Sequence, residues 1–337
     1  MRRFVAMAAA AACLLGLAGA ASAADSAVVL MYRRFGDDRS PANSIRIEQF
    51  RAHLDELRQG GFTILPLPAI VDALIAGKPL PDKAVAITVD DSWTTAYRDA
   101  WPMLKAAGYP FTLFVVTDEL DRGGPDTMTW DQVRELADSG LVSVGTQGAS
   151  RIHMAQALQQ EVAADLARAR ARLAAELPGR PATLFAWPYG EASLDAFKAV
   201  AAAGFTAAFG QHSGAAWSHG ERWYWPRFIL NETYGEPERF RLAARALPLP
   251  ATEISPADPK VAANPPAFGF TLESEAPEDL GLACYTTSEG RARLERLGPR
   301  IEVRLDKPLP PGRARLNCTS PSLDGRWRWF GWQFWVP

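Results

Sequence analysis

Along the chain, short apolar or β-branched runs alternate with segments whose apolar positions recur three and four residues apart. The runs AVVLMY (27–32), FTILPL (62–67), AVAITVD (84–90), FTLFVV (111–116), LVSVGTQ (141–147), ATLFAW (182–187) and FTAAFG (205–210) have the unbroken apolar character of strands covered on both faces. Between them Ile47, Phe50, Leu54 and Leu57 share one helical stripe, as do Trp130, Val133 and Leu136, and the alanine-rich 156–177 reads as a long helix stopped by Pro178-Gly179. Strand-helix alternation repeated in this way predicts an α/β fold, a distorted barrel of the (β/α)7 type, with a doubly wound open sheet as the alternative.

After residue 246 the pattern changes. LPLPATEISPADPKVAANPPAFG is proline-rich with few periodic apolar positions, and 247–266 is expected to be a linker or surface strap. Residues 267–337 carry strand-like pieces separated by turn residues (FGFTLES, LACYTT, IEVRLD, ARLNCTS, RWRWF, WQFWV), the pattern of a small sandwich-like β-domain. The barrel is then expected over 24–246.

The N-terminus fits neither pattern. Two arginines, an apolar run and Ala21-Ser22-Ala23 form a removable signal peptide over 1–23, so the mature chain is expected to be exported, periplasmic or secreted, without a stable membrane anchor. A lipoprotein anchored through Cys13 is the rival, but the three alanines before it make a poor processing site. Removing the signal leaves Cys284 and Cys318, which in an exported protein pair most simply as a disulfide contributing roughly 3–4 kcal/mol. Two separate buried thiols are the alternative; a zinc site there lacks support, since no histidine follows His219. A net charge of −2 over 337 residues gives no sign of a nucleic-acid partner.

Reactive groups of an α/β barrel gather where strands end, and here those ends carry Arg33, Asp90-Asp91, Gln147, Pro188-Tyr189-Gly190 and Gln211-His212. Adjacent carboxylates at such a rim suit metal binding or proton transfer. The structural alternative is a helix cap by Asp91 or Ser92.

The order of the blocks AVVLMYRRFGDD, KPLPDKAVAITVDDS, FTLFVVTDEL, TMTWDQVRELADSG, LFAWPYGE and WPRFILNETYG over 27–240 resembles the polysaccharide deacetylases of the NodB-homology type, carbohydrate esterase family 4. The LACYTTSEG and NCTSPSLDGRWRWFGWQFWVP blocks resemble the C-terminal β-domain of a bacterial subgroup of that family. The resemblance implies metal-assisted hydrolysis of acetyl groups on a polysaccharide, with Asp90 as general base, Asp91 as a ligand of zinc or a similar divalent metal, and the Tyr189 backbone N–H stabilising the oxyanion. Trp187, Pro188, Tyr189 and Gly190 would line the substrate site, and an N-acetylated polysaccharide is the expected partner.

Five positions depart from the family pattern. The family's paired histidine ligands fall at Gln147 and Arg151 in the stretch VGTQGASRIHM, Ser92 replaces a glycine, Val89 a phenylalanine, and Arg33 a histidine common in the subgroup. A guanidinium about 4 Å from a divalent ion is repelled by roughly 8 kcal/mol at an effective dielectric near 20, so Arg151 is expected to pair with Asp90 or Asp91 and leave metal binding weak or absent. His153 could replace a lost ligand or be a locally bonded loop residue; His212 is the candidate general acid or a solvent-contacting loop histidine. His53, in a helix, is expected at or near the surface, and His219 in a polar turn. Trp217, Trp223 and Trp225 could extend a sugar-stacking surface, whereas the C-terminal tryptophans read as core. Three functions follow from these positions: a glycan-binding, catalytically impaired deacetylase relative; an active deacetylase with a rearranged site; and a scaffold in polysaccharide production.

Overall fold

The computed structural model describes residues 23–273 and 281–337, so the expected signal peptide lies outside the described residues except for Ala23. Seven strands form a curled half-barrel: β1 Ser26–Tyr32, β2 Ala84–Asp90, β3 Phe111–Val115, β4 Val142–Thr146, β5 Leu184–Ala186, β6 Ala207–Phe209 and β7 Ala215–Trp217. Their spatial order is β6-β5-β4-β3-β2-β1-β7, with the first six parallel and β7 antiparallel to β1. Every residue of β1, β2 and β3 is buried, because helices cover one face and the barrel interior the other.

The run 62–67 makes a shorter strand than its apolarity suggests. Only Thr63–Ile64 pairs, alongside β2, because Pro66 donates no hydrogen bond to a ladder and instead leads into the helix Leu67–Ile75. His53 also differs from expectation. It shares the inward stripe of the helix Ile47–Gln59 and is fully buried between the Tyr32 hydroxyl, at 3.0 Å, and the Gly235 carbonyl, at 2.7 Å.

Beyond the half-barrel lie two further sheets. One has the order β8-β16-β15-β11-β12, built from β8 Leu247–Pro248, β11 Ala283–Thr286, β12 Gly290–Arg291, β15 Gly312–Pro321 and β16 Trp327–Val336. The other runs β9-β10-β14-β13, from β9 Ala251–Ser255, β10 Phe268–Leu272, β13 Arg293–Leu297 and β14 Arg300–Arg304. The proline-rich stretch thus supplies strands β8 and β9, both at sheet edges, where a missing N–H costs least. Cys284 and Cys318 sit opposite one another on β11 and β15 and form a disulfide.

Phe268, Phe270, Trp332 and Phe334 belong to the same buried cluster as Phe185, Trp187, Phe197 and Tyr224 of the half-barrel. The two parts share one core rather than meeting across a polar interface. One face of β16 therefore lies against the rim where β2, β4 and β5 end: Trp329 packs edge-on against Phe228, and Gln333 reaches the turn after β5.

Candidate active site

Strand β2 delivers two carboxylates in succession, and a change of backbone hand separates them. Asp90 ends the strand pointing inward, while Asp91 has φ 68°, a left-handed conformation unusual for a residue with a Cβ. Arg151 (φ 55°) and Tyr189 (φ 59°) adopt the same hand, so among the described residues three of the five positive-φ residues other than glycine lie at this rim. Such strain persists only where surrounding bonds hold it, and it clusters at functional sites.

Asp90 is completely buried and meets Arg227 in a two-pronged ion pair, Oδ1 to Nη1 at 2.6 Å and Oδ2 to Nη2 at 2.8 Å. Arg227 also donates from Nε to the Gly210 carbonyl at 2.9 Å and from Nη1 to Thr88 Oγ1 at 3.1 Å. The guanidinium is held by four acceptors, and it in turn fixes the Asp90 carboxylate.

Asp91 faces a different set. Its Oδ1 accepts from Gln147 Nε2 at 2.9 Å and from Arg151 Nη1 at 2.8 Å, and its Oδ2 accepts from Trp93 Nε1 at 3.1 Å, with Arg33 Nε 4.0 Å away. Burial alone would raise the Asp91 carboxyl, but the charges of Arg33 and Arg151 and the bonds from Gln147 and Trp93 outweigh it and hold the pKa below its ordinary value. Arg151 uses its other nitrogen on Glu119 Oε1 at 2.7 Å. Burial, above all, lifts the Glu119 carboxyl, opposed by Arg151.

Strand β5 ends in the turn Trp187-Pro188-Tyr189-Gly190. Gly190 has φ 69°, and a Cβ there would stand 2.8 Å from Gln211 Cβ and 2.9 Å from Gln333 Nε2, so no larger residue fits. Gln333 Nε2 donates to the Tyr189 carbonyl at 3.0 Å, and the Tyr224 hydroxyl donates to the Gly190 carbonyl at 2.7 Å. The Tyr189 ring stacks on His153, with centroids 4.5 Å apart, and His153 Nδ1 lies 2.7 Å from Oε2 of buried Glu191.

Two residues expected at the substrate surface lie elsewhere. Trp187 is fully buried, its indole N–H bonded to the Trp223 carbonyl at 2.7 Å and its ring packed among Phe185 and Phe197, so it offers no face to a sugar. His212 is buried beneath Tyr224 and Trp332, and burial first of all pushes its pKa down to about 3. It is neutral near pH 7 and does not supply the proton of a general acid from that place. Trp217 and Trp225 are likewise buried, whereas His219 is exposed beside Glu273.

Arg227 and Gln333 were not among the sequence candidates. Each is a polar residue inside an apolar block, WPRFIL and WQFWV, and that contrast is the signal that marks them.

Residues 77–208 match the family model described as Polysaccharide deacetylase. Over that segment the chain carries a polysaccharide deacetylase domain. It is similar to YxkH, a polysaccharide deacetylase relative of Bacillus subtilis (strain 168), with 27% identity over 191 residues covering 56% of this chain and 65% of that protein. It is also similar to the poly-beta-1,6-N-acetyl-D-glucosamine N-deacetylase of Escherichia coli (strain K12), with 29% identity over 214 residues covering 51% of this chain and 32% of that protein. The chain therefore spans less than two thirds of either relative. The solved structure of IcaB from Ammonifex degensii superimposes with a TM-score of 0.59 at 27% identity, covering 66% of this chain and 98% of that one. Members of the polysaccharide deacetylase family generally use a divalent metal. Among the described residues no group of three or more His, Cys, Asp or Glu side chains is placed to hold one.

Proposed function

We propose that this protein is an exported, glycan-binding member of the family whose hydrolytic centre is impaired. The observation that carries the reading is the environment of Asp91, whose Oδ1 is taken by Gln147 and Arg151. A divalent ion would need that carboxylate and at least two further donors, and the neighbours are an amide and a guanidinium. Gln147 Oε1 is buried without a hydrogen-bond partner, and its amide is a neutral oxygen source beside Asp91. A cation 2.8 Å from the shared carboxylate oxygen opposes such an ion far more strongly than one amide attracts it. These residues do not fit the metal.

The parts that act on the acyl group persist: Asp90 fixed by Arg227, and the turn whose Tyr189 N–H stabilises the oxyanion by resemblance. A substrate site would use Pro188, Tyr189 and Gly190 with the exposed edge of His153, and the ligand would be an N-acetylated polysaccharide. Export is supported by the signal pattern over 1–23 and by the Cys284–Cys318 disulfide. Among the described residues no helix is long and apolar enough to cross a membrane. The division into a barrel over 24–246 and a C-terminal part from 267 belongs to the same proposal.

A second reading, an active enzyme with a rearranged site, draws on the His153–Glu191 pair, an imidazole oriented by a buried carboxylate at the rim. Metal content together with acetate release from N-acetylglucosamine oligomers separates the two. The purified protein is expected to hold far less than one zinc per chain and to release no acetate, whereas the combined changes Ser92→Gly, Gln147→His and Arg151→His are expected to gain zinc. Stoichiometric zinc with turnover in the unaltered protein would overturn the impaired reading.

A further inference from the structure

Strand β15 turns Arg313 and Arg315 toward the rim, beside the turn that holds Tyr189. Alternation along the strand buries Ala314 and Leu316 in the shared core and leaves Arg313 and Arg315 on the opposite face. Arg313 lies with its guanidinium carbon 5.9 Å from the centre of the Tyr189 ring and its Nε 3.8 Å from Glu191, a carboxylate that His153 already shares. Arg315 donates from Nε to Gln333 Oε1 at 3.3 Å, and among the described residues no carboxylate stands within ion-pair distance of it. Gln333 is the residue that also holds the Tyr189 carbonyl.

The balance of charge around the rim is positive. With the Asp90–Arg227 pair included, Arg33, Arg151, Arg227, Arg313 and Arg315 stand around Asp90, Asp91, Glu119 and Glu191, five cations against four anions. Arg33 Nε and Gln211 Nε2 are buried donors without a hydrogen-bond partner. Burial, and after it the neighbouring charges of Arg313 and Arg33, push the Arg315 pKa below its ordinary value, which reports like charges crowded together. Holding a half-buried guanidinium without an anion is costly, and planar guanidinium forks match carboxylates in two-pronged pairs.

We propose that Arg313 and Arg315 form a subsite for a carboxylate-bearing sugar, so that the glycan held at this rim is anionic rather than neutral. The uronate carboxylate would meet the Arg315 fork, and the Tyr189 ring would carry the apolar face of the adjoining sugar. The inference rests on the proposed glycan binding and adds the charge class of the glycan.

Isothermal titration of the full chain with hexagalacturonate and with the N-acetylglucosamine hexamer tests it. The uronate is expected to bind at least about tenfold more tightly at low salt, and Arg315→Gln and Arg313→Gln each to weaken it by about tenfold while leaving the neutral hexamer unchanged. Arg293→Gln, at an exposed position on β13, is expected to alter neither. Equal affinity for the two hexamers, or the same loss from Arg293→Gln, overturns the inference. Binding of the neutral hexamer alone also overturns it and leaves glycan binding standing, whereas binding of neither hexamer removes both readings. Circular dichroism melting checks each variant; if Arg315→Gln does not fold, Arg313→Gln, whose side chain is 47% exposed, carries the test.

Discussion

His53 and His212 are held neutral mainly by burial, with pKa values pushed down to about 4 and about 3. In the unfolded chain each binds a proton near pH 6.5, so below that pH the unfolded state takes up protons that the folded state refuses. Stability is therefore complete only well above pH 6.5 and falls as the pH drops toward the folded values, by roughly 3 kcal/mol for the two groups between pH 6.5 and 5. Asp91 adds to the fall only below the ordinary carboxylate range, where its depressed pKa is finally reached. Urea unfolding at pH 7 and pH 5 checks this, and an unchanged midpoint would show that one or both imidazoles are not buried. The helical stripe of Phe50, Leu54 and Leu57 already contained the signal for His53, which lies three residues after Phe50 on the same face. The resemblance to the family's histidine motif singles out Gln147 and Arg151, and both bond Asp91. It could not identify the partner of Asp90, because Arg227 lies 137 residues away and only the curl of the sheet brings them together.

At the scale of elements, the buried parallel strands were the legible part, since β1, β2 and β3 are apolar on both faces and read as unbroken runs. Proline content and few periodic apolar positions give 247–266 the pattern of a linker or surface strap, yet β8 and β9 form there at sheet edges that tolerate proline. The turn after β5 depends on an element the sequence does not place beside it. Gln333 of β16 holds the Tyr189 carbonyl, and Tyr224 spans the Gly190 and Gln333 carbonyls. Gln333→Leu is expected to leave the half-barrel folded while releasing this turn. Hydrogen exchange at Tyr189 to Glu191 should rise about tenfold or more, in keeping with the loss of one buried bond of about 1.4 kcal/mol, with β2 unaffected. Uniform loss of protection across β2 and the turn would instead mean that Gln333 supports the whole core.

For the molecule as a whole, a single buried cluster running from Phe185 and Trp187 to Phe268 and Trp332 implies one cooperative unit. Calorimetry is expected to show one endotherm. Replacing both Cys284 and Cys318 by alanine should lower stability by about 3–4 kcal/mol and shift that endotherm without splitting it. Two resolved transitions would show that the C-terminal sheets melt independently of the half-barrel. Fold class was visible in the strand-helix alternation, but the shared core was not, because no local pattern records which apolar face meets which.

The reach of β16 into the rim has a temporal meaning as well. Gln333 follows Tyr189 by 144 residues, so the turn at Tyr189 acquires this hydrogen bond only after β16 has been synthesised. Until β16 is in place the Tyr189 carbonyl lacks its Gln333 donor, so this part of the rim is completed later than the strand that carries Asp90 and Asp91.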